Sequence, residues 1–154
     1  MNFNGNSCIV IGGAYSVDKY YRLARGWSWF PDEQPSEEIK AKVERVLAER
    51  NWKIDIVLSH TGPLKYEPTE VFLPMIDQST VDKSTEVWLE QIEASFPEMR
   101  VMQTESECGD GKNEWEQAEY IYFLMWYFFR HGAEAYTYWN MALPEGGVSS
   151  WGWS

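Results

Sequence analysis

The stretch Ile54-Asp55-Ile56-Val57-Leu58-Ser59-His60-Thr61-Gly62-Pro63 indicates the structural class of this chain. It is rich in branched apolar residues and ends at a Gly-Pro turn, as does a buried strand of a parallel sheet. Such a strand delivers the polar side chain at its end, here His60, to the carboxyl edge of the sheet. The stretch therefore predicts an α/β unit. It leaves two roles open for His60, a structural role and that of a metal ligand.

The composition limits the possible partners. The chain has 154 residues, about the length of one domain, and a formal net charge of -11 from 13 basic and 24 acidic side chains. This excess of negative charge repels phosphate backbones and anionic lipid, so we expect neither nucleic acid nor a membrane as a partner. Aromatic residues make up 16% of the chain. Such rings serve both in carbohydrate sites and in ordinary cores.

Cysteine usage and the apolar stretches predict a soluble, cytoplasmic protein. Cys8 and Cys108 lie far apart and form no CxxC pair, which is typical of thiols in a reducing compartment. Residues 1–6 show no basic region followed by a long apolar run, so we expect no secretory signal. The longest apolar stretch, 121–129, is much shorter than a bilayer span.

Strand and helix patterns alternate along the chain. The run Cys8-Ile9-Val10-Ile11 predicts a strand, and Gly12-Gly13 after it predicts a turn, because no GxGxxG or GxxxxGK[ST] motif follows. Further strands are predicted at 54–59, 99–104 and 135–140, and helices at 36–50, from Ser79 or Asp82 to 96, and at 113–130. The order β-α-β-α-β-α-β predicts an α/β fold with a mostly parallel sheet of about four strands and three covering helices.

The helix patterns also predict which side chains are buried. Ser36 is a favourable N-cap for the first helix, and the apolar face of that helix is formed by Ile39, Val43, Val46 and Leu47. The second helix has an apolar stripe of Val87, Trp88, Ile92 and Phe96, while Glu86, Glu90 and Glu93 are expected to face water. The aromatic segment 26–35 is either a surface loop packed on its own rings or the lip of a cleft. The second half of the last helix, 121–129, is apolar almost all round, so the helix at 115–129 predicts self-association unless it is fully covered.

Several motifs between residues 8 and 96 resemble the calcineurin-like metallophosphoesterases. They are Ile11-Gly12-Gly13-Ala14-Tyr15-Ser16-Val17-Asp18-Lys19, Trp29-Phe30-Pro31-Asp32-Glu33-Gln34, Asp55-Ile56-Val57-Leu58-Ser59-His60-Thr61 and Val81-Asp82-Lys83-Ser84-Thr85-Glu86. The family hydrolyses phosphoesters at two divalent metal ions, such as Mn, Fe, Zn or Mg. The resemblance implies that His60 is one metal ligand. The family's other motifs, Asp-x-His, Gly-Asp-x-x-Asp, Gly-Asn-His and Gly-His-x-His, do not occur in the chain. For Asp18, Asp32 and Asp82, solvated or capping roles are expected.

Between residues 97 and 153 the chain resembles the last two strand-helix units of the glucosylceramidase-like glycoside hydrolases of family 30. The motifs are Met102-Gln103-Thr104-Glu105-Ser106-Glu107-Cys108-Gly109-Asp110-Gly111-Lys112-Asn113, Tyr138-Trp139-Asn140-Met141 and Gly146-Gly147-Val148-Ser149-Ser150-Trp151-Gly152-Trp153. These retaining enzymes have a (β/α)₈ barrel and use two carboxylates. The resemblance implies Glu105 as the nucleophile, with Glu107 as the second choice, and Trp139 and Asn140 as residues of the sugar site. The family's acid/base glutamate has no counterpart in this segment.

The sequence thus resembles a chimera of two hydrolase segments, 1–96 and 97–154, which form either two partial domains or one merged α/β domain. Three functions are open. They are a partial metallophosphoesterase that lacks most metal ligands, a fragment of a retaining β-glycosidase, and an α/β domain without enzymatic activity. A small-molecule phosphoester or glycoside is the expected substrate for the first two. In a single parallel sheet, His60, Glu105 and Asn140 would lie along one carboxyl edge.

Overall fold

A computed structural model describes residues 2–68, 77–103 and 114–137. The chain divides into two compact units, which we call unit 1 (Met1–Glu67 and Pro74–Met99) and unit 2 (Pro68–Leu73 and Arg100–Ser154). Both units combine helix and strand, which confirms the coarse part of the predicted fold class. Among the described residues, no helix is both long enough and apolar enough to cross a bilayer.

Unit 1 contains a small sheet and three helices. The elements are β1 (Asn2–Phe3), β2 (Asn6–Ile11), α1 (Lys19–Ala24), α2 (Glu37–Glu49), β3 (Ile56–Ser59) and α3 (Ser84–Ala94), with 3-10 turns at Leu64–Tyr66 and Gln78–Thr80. Strands β2 and β3 are parallel, with Cys8 opposite Ile56 and Ile11 opposite Ser59. Strand β1, which the sequence analysis did not predict, pairs with β2 in the antiparallel direction.

The core of unit 1 lies on one face of the parallel pair. Ile11 of β2 and Leu47 of α2 pack with three side chains of α3, namely Trp88, Leu89 and Ile92. On the other face of the sheet, Val10 and Leu58 lie opposite each other and are 54% and 53% exposed. The expectation of a fully buried strand at 56–58 is therefore wrong, because α2 and α3 cover only the face that carries Ile11.

Helix α2 begins and ends as predicted, and its buried face carries Val43 and Leu47 as predicted but is shifted away from Ile39. The hydroxyl of Ser36 accepts a hydrogen bond from the backbone N–H of Ile39 at 3.3 Å, as an N-cap does. Lys40 is buried, however, while the Ile39 side chain is 50% exposed. The apolar stem of Lys40 lies in the interior and its ammonium group reaches the carboxylate of Glu37 at 2.8 Å. A lysine can thus occupy an inward position without leaving its charge unpaired.

Unit 2 is a β-α-β unit of β4 (Val101–Gln103), α4 (Glu114–Arg130) and β5 (Ala133–Tyr136). Strands β4 and β5 are parallel, with a register shift between Val101 and Met102. Leu124, Tyr127 and Phe128 of α4 are buried, and the Phe128 ring centroid lies 5.5 Å from that of Tyr136 on β5. Gly132, at φ 96°, follows the end of α4, which agrees with the predicted end of this helix at residue 130.

The described strands form two sheets, not one sheet of about four strands. The first has the order β1-β2-β3 and the second pairs β4 with β5. Alternation of strand and helix patterns predicts the existence and direction of strands, but their pairing depends on contacts that are distant in sequence. Strands as short as Ile56–Ser59 and Val101–Gln103 carry few local signals that could select a neighbour.

Candidate functional site

His60 lies at the carboxyl edge of the β2–β3 pair, as its position in the sequence predicts. It directly follows β3, and its backbone N–H donates a hydrogen bond of 3.1 Å to the carbonyl of Ile11, the last residue of β2. The His60 side chain is exposed to solvent. The backbone is thus fixed beside the ends of two parallel strands, and the imidazole is accessible to a ligand from solution.

The loop after β2 forms the second part of this edge, and Gly13 is essential to its path. Gly13 has φ 96°, and a Cβ atom at this position would lie 2.5 Å from the carbonyl oxygen of Glu33. The loop therefore packs directly against the backbone of residues 33–35. This close approach gives Gly13 a structural role, although the structure has no regular turn at Gly12-Gly13.

Glu33 connects the loop after β2 to the aromatic segment. Its carboxylate accepts hydrogen bonds from the backbone N–H of Ser16 at 3.0 Å and from the hydroxyl of Ser16 at 2.6 Å. Partial burial acts to raise the pKa of Glu33, but the two bonds from Ser16 and the charge of Lys19 outweigh it and lower the pKa. Glu33 is thus held in its ionised form by the loop beside it.

Lys19 connects the loop after β2 to the aromatic segment 26–35 through contacts with aromatic rings. The ammonium group of Lys19 lies 4.1 Å from the centroid of the Trp29 ring and under 6 Å from the rings of Tyr15 and Tyr20. A cation over aromatic faces at these distances is attracted by the ring quadrupole. Of these rings only Trp29 belongs to the aromatic segment 26–35, in which Trp27 and Phe30 are 53% and 65% exposed. The choice between a packed surface loop and the lip of a cleft therefore stays open for this segment.

Asp82 lies one residue before Lys83, the N-cap of α3, and binds the first residue of the helix. Its carboxylate accepts a hydrogen bond from the backbone N–H of Ser84 at 3.0 Å and another from the side-chain amide of Gln34 at 3.0 Å. The bond from Ser84 is the main reason why the pKa of Asp82 is lowered. Gln34 in turn accepts a hydrogen bond of 2.6 Å from the hydroxyl of Thr85, which is completely buried. The N-cap position itself is occupied by Lys83, so neither Ser79 nor Asp82 is the N-cap that the sequence predicts.

Asp18 and Asp32 also have surface roles. Asp18 forms an ion pair of 2.8 Å with Arg22, one turn further along the chain, and Asp32 is exposed. Within residues 2–68, 77–103 and 114–137, no group of three or more His, Cys, Asp or Glu side chains is placed to hold a metal ion. The role of His60 as a metal ligand thus stays a prediction.

The acidic face of α3 is not simply solvated, contrary to the prediction. Glu86 is only 8% exposed, and Glu93 contacts both the ammonium group of Lys65 at 2.8 Å and the hydroxyl of Tyr66 at 2.9 Å. Glu90 accepts a hydrogen bond from the backbone N–H of Lys65 at 2.9 Å. Glu90 and Glu93 attach the 3-10 turn Leu64–Tyr66 to α3. The groove between this turn and α3 has a volume of ≈ 350 Å³ and is lined by Leu64, Val87, Glu90, Gln91 and Ala94.

The other predicted site residues are in unit 2. Glu105, Glu107, Trp139 and Asn140 lie outside the described residues. In the sequence, Glu105 comes two residues after the last residue of β4, and Asn140 comes four residues after the last residue of β5. Strand β3 belongs to a different sheet from β4 and β5. The meeting of His60, Glu105 and Asn140 at one edge stays a prediction, because the last two residues lie outside the described ranges.

His131, the second histidine of the chain, is positioned by the end of α4. Its ring stacks on Tyr127 with the centroids 4.2 Å apart, and its backbone N–H donates to the Tyr127 carbonyl at 3.1 Å. These contacts match the capping position that the sequence suggests for His131. The histidine is exposed, like His60, and so provides a natural control for ligand binding.

Comparison of the chain with known protein families, with curated proteins and with solved structures finds no match.

Proposed function

We propose that unit 1 provides one edge of a metal-dependent phosphoesterase site, in which His60 is a metal ligand. The observation that supports this best is the position of His60, exposed at the carboxyl end of β3 and held by its backbone beside the end of β2. Ligand sites of α/β proteins form at this edge of the sheet. A divalent metal there would activate a water molecule and neutralise charge on a phosphoester.

In this proposal, His60 contributes one ligand to a centre that needs several. The motifs that supply the other ligands in calcineurin-like enzymes do not occur in the sequence. We therefore expect weak metal binding at His60 and phosphoester hydrolysis near the background rate for this chain by itself. The carboxylates of Asp18 and Asp82 already have partners in Arg22 and Ser84, so they are not counted as ligands.

The histidines allow a direct test by NMR. In a titration with Mn²⁺, the imidazole signals of His60 should broaden at about tenfold lower metal concentration than those of His131, because His60 follows the carboxyl end of a parallel strand whereas His131 follows a helix. His60→Ala should abolish this early broadening. The matched variant His131→Ala should retain it.

Equal broadening of both histidines would contradict the proposal, since it would mean that His60 binds Mn²⁺ no better than another exposed imidazole. Hydrolysis of bis(4-nitrophenyl) phosphate with Mn²⁺ supplies a second readout. Any rate above background should disappear in His60→Ala and persist in His131→Ala. An α/β domain without enzymatic activity predicts neither effect.

The β-α-β arrangement of unit 2 supports a second candidate, a fragment of a retaining β-glycosidase with Glu105 as the nucleophile. Strands β4 and β5 are parallel neighbours that flank α4 in sequence, as are consecutive strands of a (β/α)₈ barrel. In such barrels the catalytic residues follow the carboxyl ends of strands. Glu105 follows β4, while Trp139 and Asn140 follow β5 and would line the sugar site.

A mechanism-based label can test this role without an acid catalyst. With 2,4-dinitrophenyl 2-deoxy-2-fluoro-β-glucoside, the Glu105 carboxylate would form a bond to C1 of the sugar while the C1–oxygen bond breaks and dinitrophenolate leaves. This leaving group is stable as an anion, so it needs no proton from a second carboxylate. Peptide mass spectrometry should find the fluoroglucosyl group on Glu105.

The two neighbouring glutamates provide the control for this label. Glu105→Gln should remove the fluoroglucosyl group, and Glu107→Gln should leave it in place. Labelling of Glu107, or no labelling at all, would show that Glu105 is not a nucleophile in this chain.

A further inference from the structure

Helix α4 presents an apolar stripe on the side opposite to its buried face. The α4 stripe consists of Tyr122, Met125, Trp126 and Phe129, which are 72%, 38%, 45% and 47% exposed. The spacing i, i+3, i+4, i+7 places these side chains on one side of the helix, whereas Leu124, Tyr127 and Phe128 are buried. Single exposed apolar side chains are common, but a continuous stripe of this kind is typical of a helix that packs on another helix.

Two opposite charges flank the α4 stripe on the same side. Glu119 and Arg130 are both exposed, and 11 residues of α-helix bring them to within roughly 20° of each other around the helix axis. The guanidinium group of Arg130 lies 4.8 Å from the centroid of the Trp126 ring, which places it beside the stripe. One edge of the stripe therefore begins with a negative charge and ends with a positive charge.

We propose that the α4 stripe is a dimer interface, in which the α4 helices of two copies of this chain pack antiparallel about a two-fold axis. The axis passes between Met125 and Trp126, so it pairs Tyr122 with Phe129 and Met125 with Trp126 of the second copy. The same axis brings Glu119 close to Arg130 of the second copy. A parallel pair would instead place the two Glu119 side chains, and the two Arg130 side chains, at opposite edges of the interface, so that Glu119 would have no Arg130 as a partner. The antiparallel arrangement alone therefore pairs the two opposite charges.

The size of the α4 stripe indicates a weak dimer. Burial of the exposed parts of three aromatic side chains and one methionine removes about 400 Å² per copy from water, or ~800 Å² in total, which is less than a stable specific interface buries and is typical of weak, transient contacts. A chain with a net charge of -11 also repels its copies at a distance. The dimer should therefore form at micromolar or higher concentration.

Sedimentation of the full chain between low micromolar and submillimolar concentration tests the interface. The wild-type chain should show a concentration-dependent equilibrium between monomer and dimer. Trp126→Lys should raise the dissociation constant at least about tenfold, since it places a charge at the centre of the stripe. Phe30→Lys, which changes a 65% exposed ring of unit 1, should leave the dissociation constant unchanged.

A charge exchange tests the antiparallel direction. Glu119→Arg or Arg130→Glu alone should weaken the dimer, and the double variant E119R/R130E should restore it to near the wild-type dissociation constant. Circular dichroism confirms that the helix content of each variant is unchanged. A chain that stays monomeric, equal weakening by Phe30→Lys, or a double variant no stronger than the single ones would overturn the proposal.

Discussion

Gly13→Ala is expected to lower the free energy of unfolding of unit 1 by about 3 kcal/mol. A φ of 96° is strained for any L-residue that carries a Cβ atom, and alanine is such a residue. The new Cβ would also lie 2.5 Å from the Glu33 carbonyl oxygen and 3.2 Å from Cδ of Pro35. Both contacts are with atoms of limited mobility, so relief of the clash requires movement of the loop away from residues 33–35.

The neighbouring glycine provides the control for this prediction. A Cβ atom on Gly12 would have no neighbour within 4 Å, so Gly12→Ala should change the free energy of unfolding by less than about 0.5 kcal/mol. Hydrogen exchange at the backbone amides of β2 and β3 measures the stability of unit 1 separately from unit 2. Equal effects of the two substitutions would show that the contact between Gly13 and Glu33 does not stabilise the fold.

The sequence predicts those features of the fold that depend on local signals. Ser36 fixes the start of α2 because its side chain and the acidic residues after it satisfy the first N–H groups of the helix. Gly132 fixes the end of α4 because it adopts a positive φ without strain. The position of His60 at a strand end also follows from local signals, since the apolar run before it and the turn after it are adjacent in sequence.

Features that depend on tertiary contacts were not predicted. Helix α1 has no buried residue and therefore no apolar periodicity to reveal it. The inward position of Lys40 becomes favourable only because Glu37 is within reach of its ammonium group. Trp52 adopts φ 56° just after α2, and its ring packs 5.8 Å from Phe96, so packing stabilises a conformation that its own propensity disfavours.

One missed element did have a local signal. Asn4 and Gly5 have φ values of 51° and 90°, and they connect β1 to β2 by a two-residue turn. Asn-Gly is the preferred pair for such a turn, so Asn4-Gly5 by itself predicts the hairpin that contains β1.

The candidate site, in contrast, does not follow from local signals, because a metal or sugar site requires side chains that are distant in sequence to meet.

Leu47→Ala is expected to lower the free energy of unfolding of unit 1 by about 3 kcal/mol. Leu47 is completely buried, and it packs with Ile11, Trp88, Leu89 and Ile92 in the core between the sheet and the two helices. Alanine would leave a cavity that large neighbours such as Trp88 cannot fill without leaving their own contacts. A loss of this size should lower the midpoint of thermal unfolding of unit 1 by roughly 15 °C, given the length of that unit.

Ile39→Ala on the same helix is the matched control. The Ile39 side chain is 50% exposed, and alanine has the higher helix propensity, so stability should change by less than about 1 kcal/mol. The sequence pattern places both residues on one apolar face, whereas the structure places only Leu47 in the core. A large loss with Leu47→Ala and a small one with Ile39→Ala would support the observed orientation of α2. Similar losses would instead support the orientation predicted from the sequence, and would place Ile39 in the core with Leu47.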